Sequence, residues 1–425
     1  MAELPPEGLG TLASLLHDWN EAEPRPAPRQ SFELLDETLR DGLQSPSVVH
    51  PSLEAKLELL GHMSAVGIRA VNVGMPGAGG RLADDTIALC RHIRDHRLDL
   101  EPVASSRTLV KDIEPVLGAV QASGQRLTLY TFIGSSPIRQ WAEAWDLDFI
   151  LRTSEAAIGF AVRQGLEVAY VTEDTVRTPP ETLEVLFRMA VRSGARRLVL
   201  CDTVGHATPT GAASLVRWTL HLMERLGVDV KVEWHGHNDR GLALATSLAA
   251  LEAGAHRIHG CGLGLGERVG NTSIDLLLLN LKLLGWVHHD VSGLVSYVRK
   301  VSEACHVPIP FNYPLAGSDA FRTSSGVHAA ALIKSFQKGE PALADRVYSA
   351  IPAAEFGQAQ RIEIGPASGM SNVRFWLESH RLPLDEALCG RILEAAKHSD
   401  RILTDEELHG LALESGTPGR RGVSC

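Results

Sequence analysis

The chain reads as an α/β protein: a (β/α)8 barrel followed by a mostly helical C-terminal region. Three observations predict this. Short β-branched or apolar runs alternate with longer stretches of helical period, and the alternation repeats eight times. Several helical stretches stop at glycine, at Gly67, Gly124, Gly194, Gly227 and Gly254, with a new strand starting a few residues later. Eight right-handed crossovers of this kind close most naturally into a barrel over residues 31–286. The competing open, doubly wound sheet would place G-x-G-x-x-G after an early strand, and no early strand here ends in it.

In order along the chain, residues 1–30 form an N-terminal arm. A short amphipathic helix is expected over TLASLLHDW, then a proline-rich linker, EAEPRPAPRQ. The strand–helix pairs begin with SFELLDETL and PSLEAKLELLGHMSAVG, RAVNVGMPG and RLADDTIALCRHIRDH, LEPVASS and LVKDIEPVLGAVQASG, and RLTLYTFIG and FILRTSEAAIGFAVRQG. They continue with LEVAYVTED and ETLEVLFRMAVRSG, RRLVLCDTVG and GAASLVRWTLHLMERLG, DVKVEWHGH and LALATSLAALEAG, and HRIHGCGLG and TSIDLLLLNLKLLG. Residues 287–425 lose this rhythm. They open on helical HHDVSGLVSYVRKVSEACH, pass the proline-rich VPIPFNYP, and end in helices around LDEALCGRILEAAKHSD and TDEELHGLALESG. The final TPGRRGVSC is expected to be mobile.

Composition narrows the function. With 425 residues, 44% of them apolar, the chain can bury a substantial core. A net charge of −10 without a run of like charges argues against nucleic acid or an anionic membrane as the main partner. No apolar run reaches the roughly 18 residues needed to span a bilayer. The opening MAELPPEGLGTLASLL lacks the regions of a signal peptide, so a cytoplasmic address is expected. Six scattered cysteines without a CxxC pair read as reduced thiols, mostly buried.

Active sites of such barrels lie at the C-terminal ends of the strands, and polar residues gather there. Strand one ends in Asp36-Glu37-Thr38-Leu39-Arg40-Asp41-Gly42, strand five in Glu173-Asp174-Thr175, strand six in Asp202-Thr203, and strand seven in EWHGHNDRG. His235 and His237, two apart on a strand, leave the same face, so one metal ion can be reached by both. Imidazole suits Zn, Mn, Fe or Co, and Asp41 would add an anionic oxygen. Taken alone, HxH is more often a hydrogen-bonded structural pair; its place before Asn238-Asp239 on the seventh strand favours metal. GCGLGLGERVGN reads either as a phosphate cradle or as a tight βα turn, and its spacing fits neither G-x-G-x-x-G nor a P-loop.

DETLRDG, HGHNDRGLALA and GLGERVGN, in that order, resemble the acetyl-CoA-condensing branch of the metal-dependent barrel enzymes, which includes 2-isopropylmalate, homocitrate and citramalate synthases. The resemblance extends through TFIGSSPIR, VTEDTVRTPPE and CDTVGHATP, while SSGVHAAAL and RVYSAIP resemble motifs of the family's appended helical region. It implies condensation of acetyl-CoA with a 2-oxo acid, followed by thioester hydrolysis. It further implies a divalent ion (Mn, Mg, Zn or Co) held by Asp41, His235 and His237, with Asn271 as a further oxygen ligand or outer contact. Arg40 would meet the developing alkoxide and Thr203 the substrate carboxylate, and Glu173, His328 and Tyr348 would form the proton-transfer set. A homodimer is implied, the helical region of one chain reaching the neighbouring barrel.

Three positions depart from or refine this pattern. Asp41-Gly42-Leu43-Gln44 stands where the synthases commonly have DGEQ, and DGLQ resembles the related lyases that cleave hydroxymethylglutaryl-CoA. HND, GERVGN and the His328/Tyr348 motifs favour the synthase; the lyase and a non-catalytic regulatory or scaffold barrel are the alternatives. Arg139 in SSPIR stands where homocitrate synthases carry an arginine for a distal carboxylate and isopropylmalate synthases tend to carry histidine. The chain also stops before the separate leucine-sensing domain of many isopropylmalate synthases, so feedback by that route is not expected.

Overall fold

The computed structural model describes residues 15–22, 28–29 and 31–413. The chain divides into two compact units, Pro24–Ile309 and a second made of Met1–Glu23 with Pro310–Cys425. The N-terminal TLASLLHDW and EAEPRPAPRQ fall largely, and TPGRRGVSC wholly, outside the described residues.

In the first unit eight parallel strands close on themselves in chain order: β1 Glu33–Asp36, β2 Ala70–Asn72, β3 Glu101–Arg107, β4 Thr128–Gly134, β5 Glu167–Glu173, β6 Arg197–Asp202, β7 Lys231–Gly236 and β8 Arg257–Gly260. Closure is made by β1 and β8, with Glu33 opposite Arg257 and Asp36 opposite Gly260. Around them run α1 Leu53–Ala65, α2 Arg81–Asp95, α3 Val110–Ser123, α4 Pro137–Glu143, α5 Leu147–Arg163, α6 Pro180–Arg192, α7 Pro209–Arg225, α8 Ala243–Glu252 and α9 Ile274–Leu283. Side-chain caps start several of them: Ser52 Oγ accepts from Ala55 N at 3.2 Å, and Thr208 Oγ1 from Gly211 N at 3.2 Å. The five glycine stops all have positive φ; Gly124, at φ 67°, ends α3 in the left-handed conformation that a side chain would strain.

Two features differ from the sequence reading. The short α4 precedes α5 in the fourth unit; its signal was present, a serine cap (Ser136) followed by proline at the first helical position. The barrel unit also runs to Ile309, past the expected limit at 286, because α10 Leu294–Cys305 buries Leu294, Val295, Tyr297, Val298 and Val301 and packs beside α1.

The barrel interior is apolar in one layer and charged in another. Leu35, Ala70, Val103, Tyr130, Ala169, Val199 and Cys201 form an inner cluster. Toward the strand starts, Glu233 and Arg257 are wholly buried and Arg197 nearly so. Tyr130 Oη donates to Glu233 Oε2 (2.7 Å), Arg197 Nη1 to Glu233 Oε1 (2.9 Å) and Arg257 Nη1 to Tyr130 Oη (2.8 Å). Arg257 also pairs with Glu33 and Glu101.

The second unit is mostly helical, with α11 Gly326–Gln337, α12 Pro341–Val347, α13 Met370–Ser379, α14 Glu386–His398, α15 Asp405–Leu413 and one parallel pair, β9 Arg322–Thr323 with β10 Arg361–Ile362. It has its own core, including Val373, Trp376, Leu377, Leu388 and Ile392. Cys90, Cys201, Cys261, Cys305 and Cys389 are free and buried, and among the described residues no helix is long and apolar enough to cross a membrane.

Candidate active site

At the C-terminal ends of the strands lies a cavity of about 350 Å³ whose lining includes Glu37, Arg40, Asp41, Glu173, Thr203, His235 and His237. The alternation of β7 sends His235 into it, and His237, just past the strand, follows on the same side. Their Nε2 atoms are 3.3 Å apart and lie 3.5 and 3.6 Å from Asp41 Oδ2. All three residues are buried.

The loop after β8 positions Asp41. Glu267 N–H donates to Asp41 Oδ1 at 3.3 Å, and Arg40 Nη1 lies 3.2 Å from Oδ2. Gly266, at φ 150°, permits this approach: a Cβ there would fall 2.2 Å from Asn271 Nδ2 and 3.0 Å from Asp41 Oδ1. Asn271, bridged to His237, donates its amide to Leu265 O at 3.1 Å, which leaves its Oδ1 buried without a partner.

These residues fit a divalent cation. Burial and the neighbouring His237 depress the pKa of His235 to about 3, and burial lowers that of His237, so both rings are neutral near pH 7 with a lone pair to give. Burial pushes Asp41 upward, but the Arg40 guanidinium, helped by the Glu267 N–H, outweighs it and holds the carboxyl ionised, well below the usual range. Two lone pairs and one carboxylate thus converge, and among the described residues the buried Asn271 Oδ1 has no hydrogen-bond partner.

Of the other predicted residues, Arg40, Thr203 and Glu173 line the same cavity. Arg40 is fixed by Glu37, whose Oε2 accepts from Nε at 2.7 Å and faces Nη2 at 2.6 Å. Thr203 Oγ1 accepts from Asp174 N–H at 2.8 Å, which frees its own proton for another acceptor. Burial raises the pKa of Glu173, against the opposing charges of Arg139 and Arg40. Arg139 does not line the cavity: it sits on α4 with Nη2 3.3 Å from Glu143 and 3.7 Å from Glu173, and its Nε is buried without a partner. His328 and Tyr348 belong to the second unit, where their rings stack at 4.0 Å.

Sequence reasoning missed Glu37 and His259. His259 Nδ1 is 3.4 Å from Glu37 Oε1 and its Nε2 2.9 Å from Glu233 Oε2. The signal was the i, i+2 spacing of Arg257 and His259 on β8.

Fold and site together define a (β/α)8 barrel with a candidate metal centre at its mouth. The chain belongs to the HMGL-like family, whose model matches residues 31–301. Among its relatives, a probable 2-isopropylmalate synthase of Methanopyrus kandleri is 30% identical over 86% of this chain and 69% of that protein. A homocitrate synthase of Pyrococcus abyssi is 30% identical over 88% of this chain and 97% of its own length. The HMG-CoA lyase of Bacillus subtilis shares the fold, with a TM-score of 0.55 at 20% identity over 67% of this chain and 97% of that one.

Proposed function

We propose that the chain catalyses a metal-dependent condensation of acetyl-CoA with a 2-oxo acid, followed by thioester hydrolysis, to give a 2-hydroxy di- or tricarboxylic acid and CoA. The observation that carries this is the meeting of Asp41 Oδ2 with the two Nε2 atoms of His235 and His237, with Arg40, Thr203 and Glu173 lining the same cavity. Relatives named as synthases of this type support it, and their names support a place in amino-acid biosynthesis.

The proposed metal holders are Asp41, His235 and His237, with Asn271 Oδ1 as a further oxygen. A divalent ion there supplies Lewis-acid polarisation of the keto group. The other roles fall to the chain. Arg40, its guanidinium aimed by Glu37, stabilises negative charge developing on the keto oxygen. Thr203 donates its free hydroxyl proton to the substrate carboxylate. Glu173, whose proton affinity burial raises, takes part in moving the proton from the thioester methyl. His328 and Tyr348 complete that set in a homodimer, the helical region of one chain serving its neighbour's barrel.

Arg139, outside the cavity lining but 3.7 Å from its Glu173, would meet a second anionic group only on a 2-oxo acid long enough to pass Glu173. Arg139→Ala is then expected to raise KM for such an acid by about tenfold or more and to spare an aliphatic one; equal effects on both reject the idea.

A second reading, a hydroxyacyl-CoA lyase, draws on the DGLQ sequence. Thiol release from acetyl-CoA across a panel of 2-oxo acids, with Mn, Mg or Zn and with chelator, separates the two. Metal-dependent thiol release with one of the acids is expected. No release with any acid and any metal ends the synthase proposal, and cleavage of a hydroxymethylglutaryl-type thioester in its place establishes the lyase.

A further inference from the structure

His259 is wholly surrounded by protein yet belongs to no proposed catalytic group. It is 2% exposed, and each ring nitrogen faces a carboxylate oxygen: Nδ1 faces Glu37 Oε1 at 3.4 Å and Nε2 faces Glu233 Oε2 at 2.9 Å. Nε2 is hydrogen-bonded to Glu233, and Nδ1 is turned toward Glu37. Glu37 in turn uses its second oxygen on Arg40, at 2.6 and 2.7 Å, and on Asn72 Nδ2, at 3.1 Å. Glu233 is anchored from below by Arg197 and Tyr130. Hydrogen bonds, joined by the 3.4 Å contact between His259 Nδ1 and Glu37, thus link the charged layer at the strand starts to the guanidinium at the mouth.

We propose that His259 is a positioning residue: held between Glu233 and Glu37, it fixes the Glu37 carboxylate and through it the aim of Arg40. This rests on the role given to Arg40 in the proposed condensation. Glu37, His235 and His259 also bring three possible metal donors together. A second metal there is the poorer account, because Glu37 already faces a guanidinium and His259 Nε2 is spent on Glu233. Removing the ring leaves Glu37 Oε1 buried and unpaired, and a carboxylate in that position reorients.

The test uses His259→Gln in the wild-type chain and in an Arg40→Lys chain. Expected are unchanged binding of Zn or Mn, one ion per chain by equilibrium dialysis, and a kcat lower by about 10–100-fold with KM for the 2-oxo acid within about threefold. In the Arg40→Lys background the same substitution should cost less than about threefold, since a residue acting through Arg40 has nothing further to lose. An equal loss in both backgrounds overturns the proposal, as does a wild-type stoichiometry of two ions that falls to one in the variant. If His259→Gln does not fold, Glu37→Gln carries the same comparison. If the wild-type chain turns over no acid of the panel, the proposed function fails by itself. Positioning is then read from a crystal structure of the variant: Arg40 swung away from Glu37 upholds it, and Arg40 unmoved overturns it.

Discussion

Asp36, at the end of β1, is a carboxyl with no exposed surface that accepts hydrogen bonds from the Tyr297 hydroxyl and from Thr38 N–H. Burial raises its pKa from 3.8 to about 6 despite these bonds. The folded state therefore holds a proton here that the unfolded chain releases. Asp36 contributes stability below about pH 4 that is lost as the pH rises through 6, about 3 kcal/mol in all. Urea unfolding of the wild-type chain against Asp36→Asn should show their difference falling by that order between about pH 4 and pH 7. A constant difference means that the carboxyl is ionised in the fold throughout. Asp41 makes a simpler demand. Asp41→Asn should weaken Zn or Mn binding by at least about 100-fold. It should also cut to about 0.4 kcal/mol or less the stabilisation of about 2.7 kcal/mol that metal at a hundred times its Kd gives the wild-type chain. A melting curve that responds equally to metal in both chains removes Asp41 from the ligands. Asp41, His235 and His237 were legible because a strand's period of two and the polar residues at its end appear in the letters themselves. Glu37 and His259 were not: their meaning comes from which acceptors surround them, and β1 and β8 become neighbours only when the barrel closes.

At the scale of elements, the loop between β8 and α9 does what a helix or strand cannot. Its backbone folds back so that Asn271 N–H meets Gly264 O at 2.9 Å and Glu267 N–H reaches Asp41. Gly266→Ala places a methyl group against Asn271 and Asp41. Metal affinity should fall by about tenfold or more, with a smaller effect on the unfolding midpoint, measured by dialysis and by urea titration of the same sample. Unchanged affinity means that the loop yields without disturbing Asp41. The sequence left this stretch between a phosphate cradle and a tight turn; the structure gives a turn whose glycines serve a carboxylate of the chain itself. The β-α rhythm located every strand of the barrel. It missed α4 because seven residues are too few for a helical period to register, although Ser136 and Pro137 marked its start.

For the whole molecule, the charged layer inside the barrel decides more than the apolar one. Glu233 receives Tyr130, Arg197 and His259, and Arg257 lies beside it with no exposed surface. Glu233→Leu leaves these groups without their common acceptor. It should destabilise the fold by about 3–5 kcal/mol, read from urea unfolding with an unchanged m-value; a loss under about 1 kcal/mol shows that Glu33 and Glu101 compensate. The fold class was legible because eight crossovers leave few ways to close. The interior layer was not, since Glu33, Glu101, Arg197 and Glu233 look like ordinary polar residues at strand ends until the strands face one another.

The file of hydrogen bonds and ion pairs through the barrel has a consequence for anyone who would toughen this protein. Replacing its ions with well-fitted hydrocarbon is the obvious route to a hardier scaffold. The same exchange would unmoor the guanidinium at the far end, so the sturdiest redesign is expected to be an idle one.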